Sequence, residues 1–274
     1  AKEREEKAAA RDSSRASNAR KTIKSLQVKL RKMQVTTATA TAAAAAAAAT
    51  SPSPSSSSAS PPPPPPPSPL LFACVDLEWW EADHNSVTEI GLAFYHSCGT
   101  LRHRHLLTSE HLSKRNGKWV ADCRDSFLFG NSEALPLEEA VKEVTREMEN
   151  AHYVVGHAVK QDLKMLMKIG VKGLHDPQVV DTHDLSFAFI EGSKNRNLKS
   201  LAEYYGLKPQ HLHNGGNDAA YTLQVMLKQL EIAFEVPAVT PSQHMTCPNF
   251  QQLQAQATAE AQAIAQAIED ELVE

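Results

Sequence analysis

The chain of 274 residues is poor in cysteine, and the cysteines it has cannot pair locally. Cys74, Cys98, Cys123 and Cys247 are widely separated and form no C-x-x-C pair, which excludes the common zinc and dithiol redox signatures. Free thiols in an intracellular, reducing compartment are expected, cytoplasmic or nuclear, with an organelle left open. Long apolar runs are also missing. Nothing approaches the roughly 18 consecutive apolar residues of a membrane-spanning helix, so no membrane association is expected. The chain opens on Ala1, and an incomplete N-terminus that has lost any targeting signal is the expectation. Acidic residues are absent from 13–75. Such a stretch is a feature of organelle transit peptides, but Glu3, Glu5, Glu6 and Asp12 precede it and weaken that reading.

Charge is unevenly distributed. Residues 1–34 carry 11 Lys+Arg against 4 Asp+Glu, a balance of +7, which leaves −11 for the rest of a chain whose net charge is −4. An acidic body argues against broad electrostatic capture of a polyanion. It suits acids gathered to hold metal ions. In the basic arm, 1–34, Ile23, Leu26, Leu30 and Met33 recur at helical spacing and make an amphipathic helix. Lys21, Lys24, Lys29, Arg31 and Lys32 around that stripe leave two readings open, a plain solvated or partner-binding helix, or contact with nucleic acid or an anionic surface. Residues 35–69 form an Ala/Ser/Pro-rich stretch expected to be a disordered linker, its prolines at 61–67 an extended spacer. The arm and the proline run are the candidate surfaces for a protein partner. Residues 236–274 are expected to be a polar linker and an Ala/Gln-rich helical tail.

The folded body is expected at 70–235. Strand-forming runs at 71–80, 87–95 and 101–108 are joined by short turns, and Cys98-Gly-Thr is a hairpin turn. Helical and strand patterns then alternate through Phe234. Three antiparallel strands followed by alternating strand and helix predict an α/β mixed sheet with helices on both faces. The connection at 110–134 is long and carries Trp119, Phe127 and Phe129; such rings either pin a loop to the core or offer bases a stacking surface.

Three places put reactive side chains where strands and helices meet. Asp76 and Glu78 stand two apart on the first strand and therefore share a face. Like charges so close repel, and a divalent cation is the usual remedy; two solvated acids on an edge strand are the alternative. In Val155-Gly-His157-Ala-Val-Lys-Gln-Asp162, the aspartate opens a helix entered directly from a strand. In His213-Asn-Gly-Gly-Asn-Asp218, a histidine precedes a helix that the aspartate begins. Either aspartate alone could simply cap free amides. Asp181 ends another strand nearby, where capping is the expected role, and His211 is the rival to His213.

Jointly, D-x-E, G-H-x(4)-D and H-x(4)-D in this order resemble the DEDD exonuclease superfamily of the RNase H-like fold in its histidine variant, over residues 71–233. Asn214, where the tyrosine variant would carry its tyrosine, disfavours that branch. Thr88-Glu-Ile-Gly91, Phe127-Leu-Phe-Gly-Asn-Ser-Glu133 and His213 through Leu223 look most like one group. It contains the fungal exonuclease that partners Argonaute in quelling and the nuclease-like domains of the "good for full DEAD-box protein activity" proteins. Ala158 and Gln161 depart from the commoner exonuclease pattern, which puts the grip on substrate in doubt. The resemblance implies a 3′-to-5′ exonuclease that releases nucleoside monophosphates from single-stranded nucleic acid, RNA in preference to DNA. It implies that Asp76, Glu78, Asp162 and Asp218 hold two Mg2+ or Mn2+ ions, that His213 is the general base, and that Leu77, Trp79, His157 and Phe129 contact substrate. Two hard cations suit phosphodiester hydrolysis because they neutralise charge and activate water together. Gly215 and Gly216 are expected to let the His213 loop order when substrate arrives. The alternatives are a non-catalytic nucleic-acid-binding or adaptor module of the same fold, and a DNA repair or proofreading exonuclease.

Overall fold

The computed structural model describes residues 2–49, 69–174, 178–190 and 196–234. A long helix, α1 (Lys2–Ala49), precedes strands β1 (Leu71–Trp80), β2 (Asp83–His96) and β3 (Leu101–Thr108). Then come β4 (Ser132–Leu135), α2 (Leu137–Glu149), β5 (Tyr153–Gly156), α3 (Lys160–Ile169) and β6 (Gln178–Asp181). Two short helices, α4 (Thr182–Leu185) and α5 (Leu198–Tyr204), lead to α6 (Gly215–Phe234). The six strands lie in the order β4-β3-β2-β1-β5-β6. β1, β2 and β3 pair antiparallel, whereas β4, β5 and β6 each join parallel to a neighbour. This is the mixed sheet of the RNase H-like fold, as the strand pattern predicts. β4 lies inside what was expected to be one uninterrupted connection; at four residues, mostly exposed, it carries no alternation that marks a strand.

Period-two alternation divides β1 between two cores. Leu71, Ala73, Val75 and Leu77 pack with Val144, Met148 and Leu166 on one side of the sheet. Phe72 and Cys74 pack with Ala219, Leu223 and Met226 of α6 on the other. Asp76 and Glu78 continue the second row and so emerge toward α6. Cys74, Cys98 and Cys123 form no disulfide among the described residues, and no described helix is long and apolar enough to cross a membrane.

The basic arm does not stand apart. Ala19, Ile23 and Leu26, spaced four and three apart, are buried in the α6-side core with Tyr153, Val180 and Leu185, and Leu30 packs against them. Gln27 donates to the Ala233 carbonyl, and the Arg15 guanidinium covers the Phe187 ring. Of the stripe, Ile23, Leu26 and Leu30 meet this chain's own domain. The helix also continues through 35–49, expected to begin the linker, because the run of alanines there has the highest helix propensity of any residue. The prolines at 61–67, Cys247 and the Ala/Gln-rich tail lie outside the described residues.

Leu26 is 1% exposed. Leu26→Ala is expected to destabilise the whole domain by about 2–5 kcal/mol and to lower the melting temperature in calorimetry by roughly 4–20 °C. An unchanged melting temperature would mean that α1 is not part of the folded unit.

Candidate active site

Asp76, Glu78, Asp162, His213 and Asp218 all line one cavity of about 300 Å³. Leu77, Trp79, Glu81, His84, Asn116 and Val120 line it too. The ligand atoms of Glu78, His213 and Asp218 lie within 4.8 Å of one another. His157 and Phe129, expected to touch substrate, do not line the cavity. Phe129 packs on Tyr221, His103 and Phe127. The His157 Nδ1 and the Thr182 hydroxyl share a hydrogen bond of 3.0 Å, and that hydroxyl also lies in hydrogen-bond reach of the Gly156 carbonyl. Burial and the neighbouring His183 push the His157 imidazole down to about 4, so the ring is neutral around pH 7.

The turn between β5 and α3 delivers Asp162. A side chain at Gly156 would place its Cβ 2.2 Å from a Val159 methyl, so only glycine lets the strand bend so sharply into the helix. Asp181 accepts hydrogen bonds from the Ala158, Val159 and His183 amides, the capping role expected of it, and holds Ala158 at φ 55°. Asp162 then reaches back to accept from the Leu77 amide at 3.2 Å, which ties the first helical turn to the strand between the two other acids.

The motif His213-Asn-Gly-Gly-Asn-Asp218 has a task for every residue. Gly91, opposite Asp76 on β2, faces Gly215; a Cβ on Gly91 would fall 1.8 Å from the Gly215 carbonyl oxygen. A Cβ on Gly216 would meet the Phe127 ring at 2.6 Å. The glycines therefore serve close approach of α6 to the sheet, and they are buried at its start, not part of a flexible loop. Asn214 accepts from the Asn217 amide and donates to the carbonyls of Cys123 and Arg124. Asn217 donates to the Ser126 and His211 carbonyls and accepts from the Leu128 amide. Both asparagines thus stitch α6 to the connection ahead of β4. His213, in the left-handed region at φ 66°, donates its amide to Asp218 Oδ2 at 3.0 Å.

Glu89 has no role in the sequence reading, though it sits within Thr88-Glu-Ile-Gly91. It is the cross-strand partner of Glu78 and is 3% exposed. It accepts from His105, from buried Arg124 and from the Gly215 amide. Arg124 in turn donates to the Leu112 and Lys114 carbonyls. This buried pair fixes the wall of the cleft and the start of α6 to the same strand. Only the register of β1 on β2 exposes that role.

The electrostatics of the acids are those of a cation site. Burial first, and then the carboxylates of Asp218, Asp162, Glu78 and Glu89, push Asp76 well above the ordinary carboxylate range. Burial with Asp218, Glu89 and Asp162 raises Glu78 to about 9. Burial raises Asp218 to about 7 and Asp162 to about 6, in each case against hydrogen bonds from backbone amides. Asp218 Oδ1 is buried with no hydrogen-bond partner among the described residues. An unpaired buried carboxylate oxygen is costly, and hard divalent cations take such oxygens. The donor set fits.

A sheet of this order, with four carboxylates and a histidine lining one cavity beside β1, defines a domain of the RNase H-like, exonuclease-like class. A family model described as "DNA polymerase III subunit epsilon-like, C-terminal domain" matches residues 71–229, more than half of the chain, and the chain belongs to this DEDDh family of exonuclease-like domains. It is 34% identical over 192 residues to an uncharacterized protein of Saccharomyces cerevisiae, YDR514C, covering 56% of this chain and 40% of that one. It is 31% identical over 201 residues to the Good for full DBP5 activity protein 2 of the same yeast, covering 59% and 35%. The chain thus spans less than half the length of either relative. A zinc-bound complex of E. coli exonuclease I with single-stranded DNA is similar at a TM-score of 0.46 and 12% identity, over 61% of this chain and 41% of that one.

Two outcomes are expected. Gly91→Ala cannot be relieved by a side chain moving, because the obstacle is backbone; it should cost about 3 kcal/mol or more, read as a lower denaturation midpoint. The second outcome concerns pH. The carboxyls at Glu78, Asp162 and Asp218 keep their protons to higher pH when folded than when unfolded, so the folded state binds more protons between about pH 4 and 9. In chelator, the melting temperature should therefore fall as pH rises from 5 to 8, and millimolar Mg2+ or Mn2+ should restore it at pH 8. A melting temperature in chelator that rises over that interval contradicts the assignment.

Proposed function

We propose that this chain is a metal-dependent 3′-to-5′ exonuclease acting on single-stranded nucleic acid, RNA in preference to DNA, and releasing nucleoside monophosphates. The observation that carries the reading is the single cleft lined by Asp76, Glu78, Asp162, His213 and Asp218, with an unpartnered carboxylate oxygen buried in it. Membership of the DEDDh family, which uses divalent metals, supports it. The RNA preference rests on the likeness of Thr88–Gly91, 127–133 and 213–223 to the group that contains the Argonaute-partner exonuclease. An intracellular setting, cytoplasmic or nuclear, is part of this reading.

In this reading Asp76, Glu78, Asp162 and Asp218 hold the cations. When bound, two hard divalent ions supply charge neutralisation at the scissile phosphate and a more acidic water. The protein's own part is positioning and proton transfer. Asp218 uses one oxygen to anchor the His213 amide and leaves the other free for the cation. That bond sets the His213 ring within reach of Glu78 and Asp218, where an imidazole nitrogen takes the proton of the attacking water. Leu77 and Trp79, which line the same cleft, would lie beside the terminal nucleotide.

Wild type with Mg2+ or Mn2+ should shorten 5′-labelled RNA oligonucleotides from the 3′ end to mononucleotides, and matched DNA more slowly. Asp76→Asn should abolish the reaction, and His213→Ala should lower kcat by roughly 10²–10⁴. Equal degradation by wild type and Asp76→Asn, or oligonucleotide binding without turnover in either metal, refutes the proposal.

A further inference from the structure

The connection between β3 and β4 is stitched along most of its length. Arg115 pairs with Asp122 and Asp125, Asn116 bonds the Trp79 carbonyl and the Glu81 amide, Arg124 meets Glu89, and the Leu128 amide meets Asn217. Its phenylalanines turn inward, Phe127 onto His105 and Phe129 onto Tyr221. Trp119 does the opposite and is 67% exposed. Its backbone is nevertheless held firmly. The Glu81 carboxylate accepts from three consecutive amides, those of Lys118, Trp119 and Val120, at 2.8, 2.9 and 3.3 Å. Glu81, Asn116 and Val120 line the catalytic cleft, so this fixed segment is its rim. Folding gains little from an indole left in water, since a buried tryptophan contributes through the large apolar area it hides. Ordering its backbone so tightly makes sense only for a ring that works from the surface.

We propose that Trp119 is a stacking surface for a nucleobase of the strand whose end occupies the cleft. The inference rests on the exonuclease reading and names how that site grips a single strand. One face of the indole is covered by the Lys118 ammonium, 4.3 Å from the ring centroid, which leaves the opposite face to the base. Lys118 thereby brings a positive charge beside the strand's phosphate, on the rim of a cleft whose floor is acidic. An unpaired, splayed base is required, because an aromatic surface is available only to a base free of its own stacking partners. Every base has a π-face, so the contact discriminates single strand from duplex and not one base from another.

The test separates this contact from catalysis. Binding of a fluorescent single-stranded oligonucleotide is followed by anisotropy with Ca2+ in place of Mg2+, alongside a set carrying one abasic residue at each successive position from the 3′ end. Trp119→Ala is expected to raise Kd about 5- to 100-fold, with an unchanged melting temperature, while Trp119→Phe keeps most of the affinity. One abasic position should reproduce the loss in wild type and add nothing in Trp119→Ala. Equal Kd for wild type and Trp119→Ala, additive losses at every abasic position, or no oligonucleotide binding by wild type overturns the proposal. Degradation in Mg2+ is scored separately: its absence in wild type sinks the exonuclease reading, while the abasic pattern still decides whether Trp119 stacks.

Discussion

Mutual repulsion among Asp76, Glu78, Asp162 and Asp218 is the constraint to which the rest of the molecule answers. Left alone, four carboxyls around one small cavity would separate or keep their protons; burial displaces all four upward, and at Asp76 and Glu78 the neighbouring acids add to it. The fold withstands it with backbone geometry. Each acid arrives on a segment that cannot easily retreat: β1 at the centre of the sheet, a strand-to-helix turn locked by Asp181, and a helix pressed onto β2 through paired glycines. A protein that spends stability in this way has gathered a site for something positively charged.

Much of this was legible in the sequence. The spacing of Asp76 and Glu78 on an alternating strand dictates a shared face, and helices begun by Asp162 and Asp218 directly after strand or loop put both acids at one end of the sheet. The three-strand meander followed by alternating elements fixed the sheet's class. Local pattern says less about partners distant in the chain. Glu89 required the register of β1 on β2, and Asn214 and Asn217 required knowing that residues 123–128 lie beside them. A Gly-Gly pair codes equally for freedom and for close approach; the neighbour that settles it, Gly91, is more than a hundred residues away. His157 and Phe129, expected by type to touch substrate, meet Thr182 and Tyr221 and do not line the cavity.

Buried Glu89 and Arg124 show how the wall and the floor of the cleft are made one body. A desolvated ion pair adds little net stability and is costly to break. Its value here is geometric. Glu89 touches β3 through His105, the connection through Arg124 and α6 through the Gly215 amide, so motion of any one is felt by the others. Held so, the cleft is shaped before anything enters it.

The docked helix α1 changes what counts as the domain. An amphipathic stripe in a sequence reveals that a face will be covered without revealing by what, and here Ile23 and Leu26 complete the interior that Phe72, Tyr153 and Leu223 begin. The hydrophobic unit is therefore assembled from two stretches of chain that lie on either side of the proline-rich stretch. A gene fragment trimmed to start at the first strand would encode the whole acidic cleft and yet leave greasy and bare the surface of α4 and α6 that α1 covers.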